Sequence, residues 1–473
     1  LSDASFQAAV QRKSAPYLYH GETRSLCETC LLPVTAKILI EGDDVFYLKR
    51  CRQHGLQKTL VSTDAAYWAA AKSWVKPGDR PYAYHSTTEY GCPYDCGLCP
   101  DHEQHTCLGL IEINEHCNLT CPTCFAGSSP LKQTHRSLPE IERMLDALIE
   151  AEREPDVVQI SGGEPTIHPQ IIDILRLCKT KPIRHLMLNT NGIRLAADRD
   201  FVKQLKEFSP GFEVYLQFDS LRPEALINLR GANLASVRMR ALEHLEEAGI
   251  STTLVAVVKK GINDDEIGAI IDHALSYSCV RGVTFQPVQD AGRNDDFDPG
   301  RHRLFQSDIR RAIGAQSSHF KAEDVIPLPC NPEHISIAYG LRSGKKIFPL
   351  TSLMPKDVWV QAAPNAIAFE KHPELRRAIF DLFSLSSTEW NQSERLGSLL
   401  CCLPEVPLPQ ELGYKDIFRV VIVEFMDKYN FDIGSVKRAC IHFVTPQGKI
   451  IPFDTYNLFY RDGSIDDIRR SLT

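Results

Sequence analysis

The chain has 473 residues, of which 43% are hydrophobic and 24% charged, and a formal charge of −7. Such a length exceeds one ordinary core and predicts two or three domains, while the acidic balance removes any electrostatic case for nucleic acid, Lys259-Lys260 and Lys345-Lys346 being ordinary surface pairs. No stretch approaches the roughly 18 to 20 apolar residues of a membrane span, and LSDASFQAAVQRKSAPY lacks the basic start and apolar run of a signal peptide; a cytoplasmic location is expected, with peripheral membrane contact as its variant.

Residues 1–108 read as a cysteine-rich metal domain with few long periodic segments. Of the 16 cysteines, 10 fall between Cys27 and Cys124. Disulfides are not expected without an export signal. Cysteines two or three residues apart suit a metal or an iron–sulfur cluster, because a short loop turns several thiolates toward one centre. Cys27-x2-Cys30 followed by Cys51-x2-His54 predicts one tetrahedral mononuclear site on two knuckles. Thiolates suit zinc and iron alike. Four protein ligands leave no open position, which favours a structural role over electron relay. Next come Cys92-x3-Cys96-x2-Cys99 and then Cys107. Four thiolates would close a [4Fe–4S] cube as an auxiliary cluster, with structural zinc the competing occupant. His102 and His105 are expected on the loop surface.

Residues 109–290 alternate apolar runs with amphipathic stretches. Strands are predicted at 109–114, 157–160, 184–189, 213–218, 252–258 and 282–286, with helices near 139–153, 169–179, 199–208, 234–249 and 264–277. Six strand–helix units predict a parallel sheet covered by helices, an α/β partial (β/α)6 barrel. Sites in such sheets form at the carboxyl ends of the strands. There the sequence places Cys117-x3-Cys121-x2-Cys124, after the first strand. Three thiolates bind three irons of a cube and leave the fourth open.

The run HCNLTCPTCFAG, with SGGEP at 161–165 and LNTNG at 188–192 ending the next two strands, resembles the radical SAM (S-adenosylmethionine) superfamily. The resemblance implies that Cys117, Cys121 and Cys124 hold a [4Fe–4S] cluster whose open iron chelates SAM. It further implies that Gly162, Gly163 and Glu164 meet the SAM amino group, with Ser161 also binding the cofactor, and that Asn189 and Asn191 lie near the ribose. Gln217, Asp219 and Arg230 complete the cradle. Thr123 stands where many members carry an aromatic residue, and Phe125 is the nearest substitute. An electron donor such as ferredoxin or flavodoxin is implied, and no side chain is assigned a catalytic role.

Residues 291–473 are expected to form an α+β domain. Cys330 and Cys440 are candidates for a third metal site, with His334, His442 and Asp454 as neighbouring ligand types. Cys178 and Cys279 read as core cysteines, and Cys401-Cys402 as a vicinal pair in an apolar loop. The apolar segments 358–385 and 398–403 would either pack this domain on the barrel or cover a hydrophobic substrate.

Over nearly its whole length the chain resembles the branch containing archaeal tetraether lipid synthase and the radical SAM methylases of pterins. The shared segments include LCETC, CRQHG, GCPYDCGLCPDHEQHTC, IPLPC and RACIHFVTP. That branch implies hydrogen abstraction from an unactivated carbon and carbon–carbon bond formation, by lipid-chain coupling or methylation. Two alternatives are a C-methylase of a pterin-like small molecule and a non-catalytic iron–sulfur electron-transfer protein. The branch builds a third cluster with C-terminal cysteines, one of them at the position of Asp454. This chain departs from the pattern there.

Overall fold

A computed structural model describes residues 15–76, 78–343, 346–353, 356–362 and 416–472. Most of the apolar segments 358–385 and 398–403, and the pair Cys401-Cys402, lie outside the described residues.

The first element is an antiparallel sheet of β1 (Leu18–Leu26), β2 (Pro33–Glu41), β3 (Asp44–Cys51) and β4 (Gly55–Ser62), paired in chain order. It packs Ala36, Ile38, Val45, Tyr47 and Val61 against Trp68 of α1 (Ala65–Ala71). The β1–β2 connection carries Cys27 and Cys30, Cys51 ends β3, and His54 lies in the β3–β4 turn. These strands are longer than the sequence suggests. Most of β1 stays exposed, so it lacks the alternation that marks a half-buried strand.

The six predicted barrel strands are present as β5 (Leu108–Glu112), β6 (Val157–Ser161), β7 (His185–Thr190), β8 (Phe212–Gln217), β9 (Thr252–Val258) and β10 (Val280–Pro287). They pair in that order and all run parallel. β6 and β7 are buried throughout, as expected of strands covered on both faces. The covering helices include α2 (Leu138–Glu152), α3 (Ile171–Thr180), α4 (Ile193–Ala197), α5 (Arg199–Lys206), α6 (Pro223–Arg230), α7 (Ala235–Ala248) and α8 (Ile267–Leu275). In α2 a Ser137/Glu140 capping box fixes the start. Ile141, Met144, Leu145 and Leu148 then recur three or four apart and enter the core. The α/β partial-barrel fold is the one expected.

The C-terminal strands do not make a sheet of their own among the described residues. β11 (Ile326–Pro327), β12 (Ile335–Ser343), β13 (Lys346–Pro349) and β14 (Ile417–Val423) extend the β10 edge, with β14 parallel to β10. β15 (Ile441–Val444) runs parallel to β5 at the other edge and pairs with β16 (Ile450–Pro452). An open parallel sheet leaves two edges with unpaired N–H and C=O groups; this chain closes both with its own C-terminal part. Consequently Cys440, just before β15, is carried to the start of β5 beside Cys107. No described helix is long and apolar enough to cross a membrane.

Candidate active site

A cavity of about 200 Å³ opens along the barrel interior, and Cys117, Cys121 and Cys124 line it. Cys117 and Cys121 are buried. Burial pushes the Cys117 thiol up to about 12, so its thiolate is disfavoured until a metal takes the proton's place.

The loop carrying these cysteines is pinned on two sides. From β6, the Gly163 N–H donates to Asn114 O at 2.8 Å and the Glu164 N–H to His116 O at 2.9 Å. A Cβ on Gly163 would sit 2.1 Å from His116 O, and one on Gly162 2.4 Å from Asn114 Oδ1. The paired glycines are thus required for the approach of the two loops. From the segment after β10, Arg293 and Cys124 exchange backbone hydrogen bonds at 2.9 Å in both directions. The Arg293 guanidinium donates to Cys121 O at 2.6 Å and Ser128 O at 2.8 Å. Sequence reading missed Arg293, since no motif spacing ties residue 293 to residue 121.

Gly162, Gly163, Asn189, Asn191, Gln217, Arg230 and Phe125 line the same cavity. Asn189 Nδ2 donates to Ser161 Oγ at 3.2 Å, and Gln217 Nε2 to Asn189 Oδ1 at 3.3 Å, so adjacent strand ends share a row of amides. Ser161, Glu164 and Asp219 stand behind this wall. The Glu164 carboxylate accepts from Thr166 N at 3.1 Å, Thr166 Oγ1 at 2.5 Å, Thr190 Oγ1 at 2.7 Å and Asn191 N at 2.7 Å. With these four donors it ties strand ends together rather than facing the cavity. Asp219, in the left-handed region with φ of 65°, grips Arg230 at 2.7 and 2.5 Å and aims that guanidinium at the cysteine loop.

The cavity floor lies at the start of the parallel strands. Glu213 is buried there against His185 at 3.1 Å, Arg419 at 3.4 Å and the Thr253 hydroxyl. Burial alone would raise its pKa; Arg419 and His185 outweigh that and hold it at about 2. The walls mix amides (Gln159, Gln286, Gln289) with Met187, Val255, Val257 and Phe453. Gln289 Oε1 is buried with no hydrogen-bond partner among the described residues.

The other cysteines divide differently from the sequence expectation. Cys27, Cys30, Cys51 and His54 do converge, with ligand atoms all within 4.8 Å of one another. Cys92, Cys96 and Cys99 line a small separate pocket of about 10 Å³ with His102 and Asp101. Cys107 is not part of that pocket. Its thiol instead lies within 4.8 Å of those of Cys330 and Cys440, and all three line the barrel cavity. His102 is buried rather than on the loop surface. Its Nε2 lies 2.8 Å from Ala439 O, and burial pulls its pKa down to about 4. Neither His334 nor Asp454 joins a described metal-sized group; the Asp454 carboxylate accepts from Met426 N at 2.5 Å.

Residues 111–274 match the family described as the radical SAM superfamily. Those residues form a radical SAM domain. Residues 19–63 match the HMPTM N-terminal zinc ribbon domain. A 7,8-dihydro-6-hydroxymethylpterin dimethyltransferase of Methanocaldococcus jannaschii is 29% identical over 93% of this chain and 94% of its own. A GTP 3′,8-cyclase of Aquifex aeolicus is 28% identical over 50% of this chain and 71% of its own. Among solved structures, Streptococcus suis SuiB bound to S-adenosylmethionine matches over 44% of this chain and 46% of its own, at 18% identity and a TM-score of 0.37. The radical SAM domain implies a [4Fe–4S] cluster with SAM, and the zinc ribbon an additional metal site. The barrel fits that requirement: three thiols, two of them buried, line one cavity with the amides of Asn189, Asn191 and Gln217, and a glycine cradle holds their loop.

Proposed function

We propose that this radical SAM enzyme is a methylase that adds carbon to a pterin-like bicyclic heterocycle. The full-length similarity to the M. jannaschii pterin dimethyltransferase carries the reading. The amides of Gln159, Gln286 and Gln289 on the cavity wall agree with it. A fused heterocycle presents ring N–H and amino donors together with carbonyl and ring-nitrogen acceptors, and side-chain amides pair with both. The orphaned Gln289 oxygen is one such acceptor.

In this reading Cys117, Cys121 and Cys124 are the cluster ligands. Such a cluster, with SAM bound and an electron from a ferredoxin or flavodoxin, would supply 5′-deoxyadenosyl radical chemistry in the cavity. The chain contributes position and dryness. Gly162 and Gly163 present backbone to the SAM amino group, while Asn189, Asn191 and Gln217 orient its sugar and carboxylate. Arg230 places positive charge beside the cysteine loop, and Phe125 offers a face to the adenine. The apolar part of the wall, Met187, Val255 and Val257, keeps water from a carbon-centred radical. Cys92, Cys96 and Cys99 form the auxiliary cluster loop. Coupling of lipid chains draws its sequence support from 358–385 and 398–403, most of which lie outside the described residues, so no structural observation favours it.

The test is anaerobic incubation of the reconstituted enzyme with SAM, reductant and 7,8-dihydro-6-hydroxymethylpterin. Products heavier by one or two methylene units, with 5′-deoxyadenosine formed alongside, are expected. Undiminished pterin, with 5′-deoxyadenosine formed at the same rate whether or not pterin is present, would sink the substrate assignment.

A further inference from the structure

Three cysteines that no spacing pattern links come together at the cavity wall. Cys107 precedes β5, Cys330 follows β11 and Cys440 precedes β15, so the group exists only because C-terminal strands close both edges of the barrel. All three are buried, at 1–2% exposure. The Cys330 and Cys440 sulfurs lie 3.6 Å apart, and the three thiols are within 4.8 Å of one another.

That spacing distinguishes one ion from a cluster. A tetrahedral metal with bonds of about 2.3 Å sets its thiolates about 3.8 Å apart. A cube sets each thiolate on a different iron and therefore farther apart. The zinc-ribbon group shows the single-ion scale in this same molecule, with Cys30 and Cys51 sulfurs 3.9 Å apart. Neither CxxxCxxC set forms a group within 4.8 Å among the described residues.

No fourth protein ligand completes this trio within that distance among the described residues. His105 reaches Cys107 alone: its Nε2 lies 3.5 Å from that sulfur, and its Nδ1 is 2.9 Å from Glu152. It positions Cys107 through a carboxylate–histidine pair. The remaining direction is the cavity that the three thiols line with the Cys117 loop.

We propose that Cys107, Cys330 and Cys440 hold a single thiophilic dication, zinc or ferrous iron, whose fourth position faces the cavity. That position takes water, or a nitrogen or oxygen donor of the molecule bound there. A site with three protein ligands and one open position is the arrangement that lets a metal bind or polarise a substrate. The inference holds whichever substrate the cavity accepts.

Full-length protein purified anaerobically tests it by counting zinc, iron and acid-labile sulfide. Cys440→Ser and Cys330→Ser should each lose about one metal ion per chain with sulfide unchanged; which metal falls tells zinc from iron. Loss of about four irons with about four sulfides would show a cube and overturn the proposal. Unchanged metal content would overturn it as well. Should the variants fail to fold, the wild type serves: mild chelation should release about one ion without sulfide and expose Cys107, Cys330 and Cys440 together to iodoacetamide. Release only together with sulfide, or a Cys330–Cys440 disulfide in the native protein, would contradict it.

Discussion

Two loops in this chain have the same cysteine spacing and opposite surroundings. The loop of Cys117, Cys121 and Cys124 leaves the carboxyl end of β5 and faces about 200 Å³ of space, with Asn189, Gln217 and Arg230 on its walls. The loop of Cys92, Cys96 and Cys99 comes before β5 and borders only about 10 Å³. Its turn is fixed by Asp95, whose Oδ2 accepts from the N–H groups of Glu89, Tyr90 and Gly91 at 2.6–2.8 Å. Tyr460 seals it from the C-terminal side, its hydroxyl accepting from Cys96 N at 3.0 Å. Spacing brings three thiolates to one face in both loops. Position relative to the barrel decides whether a second molecule can reach what they hold.

The largest expected effect breaks the comparison on one side only. Cys117→Ala, Cys121→Ala or Cys124→Ala should take SAM cleavage to background while metal at the other centres stays, as read by 5′-deoxyadenosine and metal analysis. Next, Cys96→Ala should lower Tm by at least ~5 °C, because metal binding there contributes folding energy, yet leave SAM cleavage measurable. Third, Gly163→Ala drives a Cβ against the His116 carbonyl. A loss of ~2–4 kcal/mol in a denaturant titration is expected, with SAM cleavage falling in parallel. Arg293→Ala frees two carbonyls of the cysteine loop and should cost ~1–3 kcal/mol, seen as several-fold faster loss of cluster absorbance to a chelator.

The smallest effect belongs to Asp454, whose chain neighbour Thr455 hydrogen-bonds Cys96. Burial raises the Asp454 pKa to about 7, above the ordinary value near 4. Its protonated form is therefore favoured in the folded state. The stability it contributes is complete below about pH 4 and is lost as pH rises to about 7. Asp454→Asn should flatten that part of the Tm–pH curve; an unchanged slope would assign the dependence to another group.

The barrel was legible because each part of it follows a short-range rule. Parallel strands read as apolar runs such as VVQI, α2 repeats its apolar residues every three or four positions, and the CxxxCxxC, GGEP and LNTNG segments end successive strands. What escaped depends on tertiary approach. Cys107 was expected with its sequence neighbours, but the strands at both barrel edges bring it to Cys330 and Cys440. His102 was expected at the surface, but Ala439 and His442 bury it. The hydrogen bonds from Thr166, Thr190 and Asn191 to Glu164 likewise have no signature in the motif spacing. The apparent separateness of residues 291–473 came from reading β14 and β15 without knowing that β10 and β5 leave edges to pair.

The most direct measurement is the EPR spectrum of the reduced protein with and without SAM, recorded for the wild type, Cys96→Ala and Cys124→Ala. The assignment of Cys117, Cys121 and Cys124 to the SAM-binding cluster predicts a SAM-dependent change in the wild type and in Cys96→Ala, and none in Cys124→Ala. A SAM-dependent signal that survives in Cys124→Ala and disappears in Cys96→Ala would reverse the roles of the two loops.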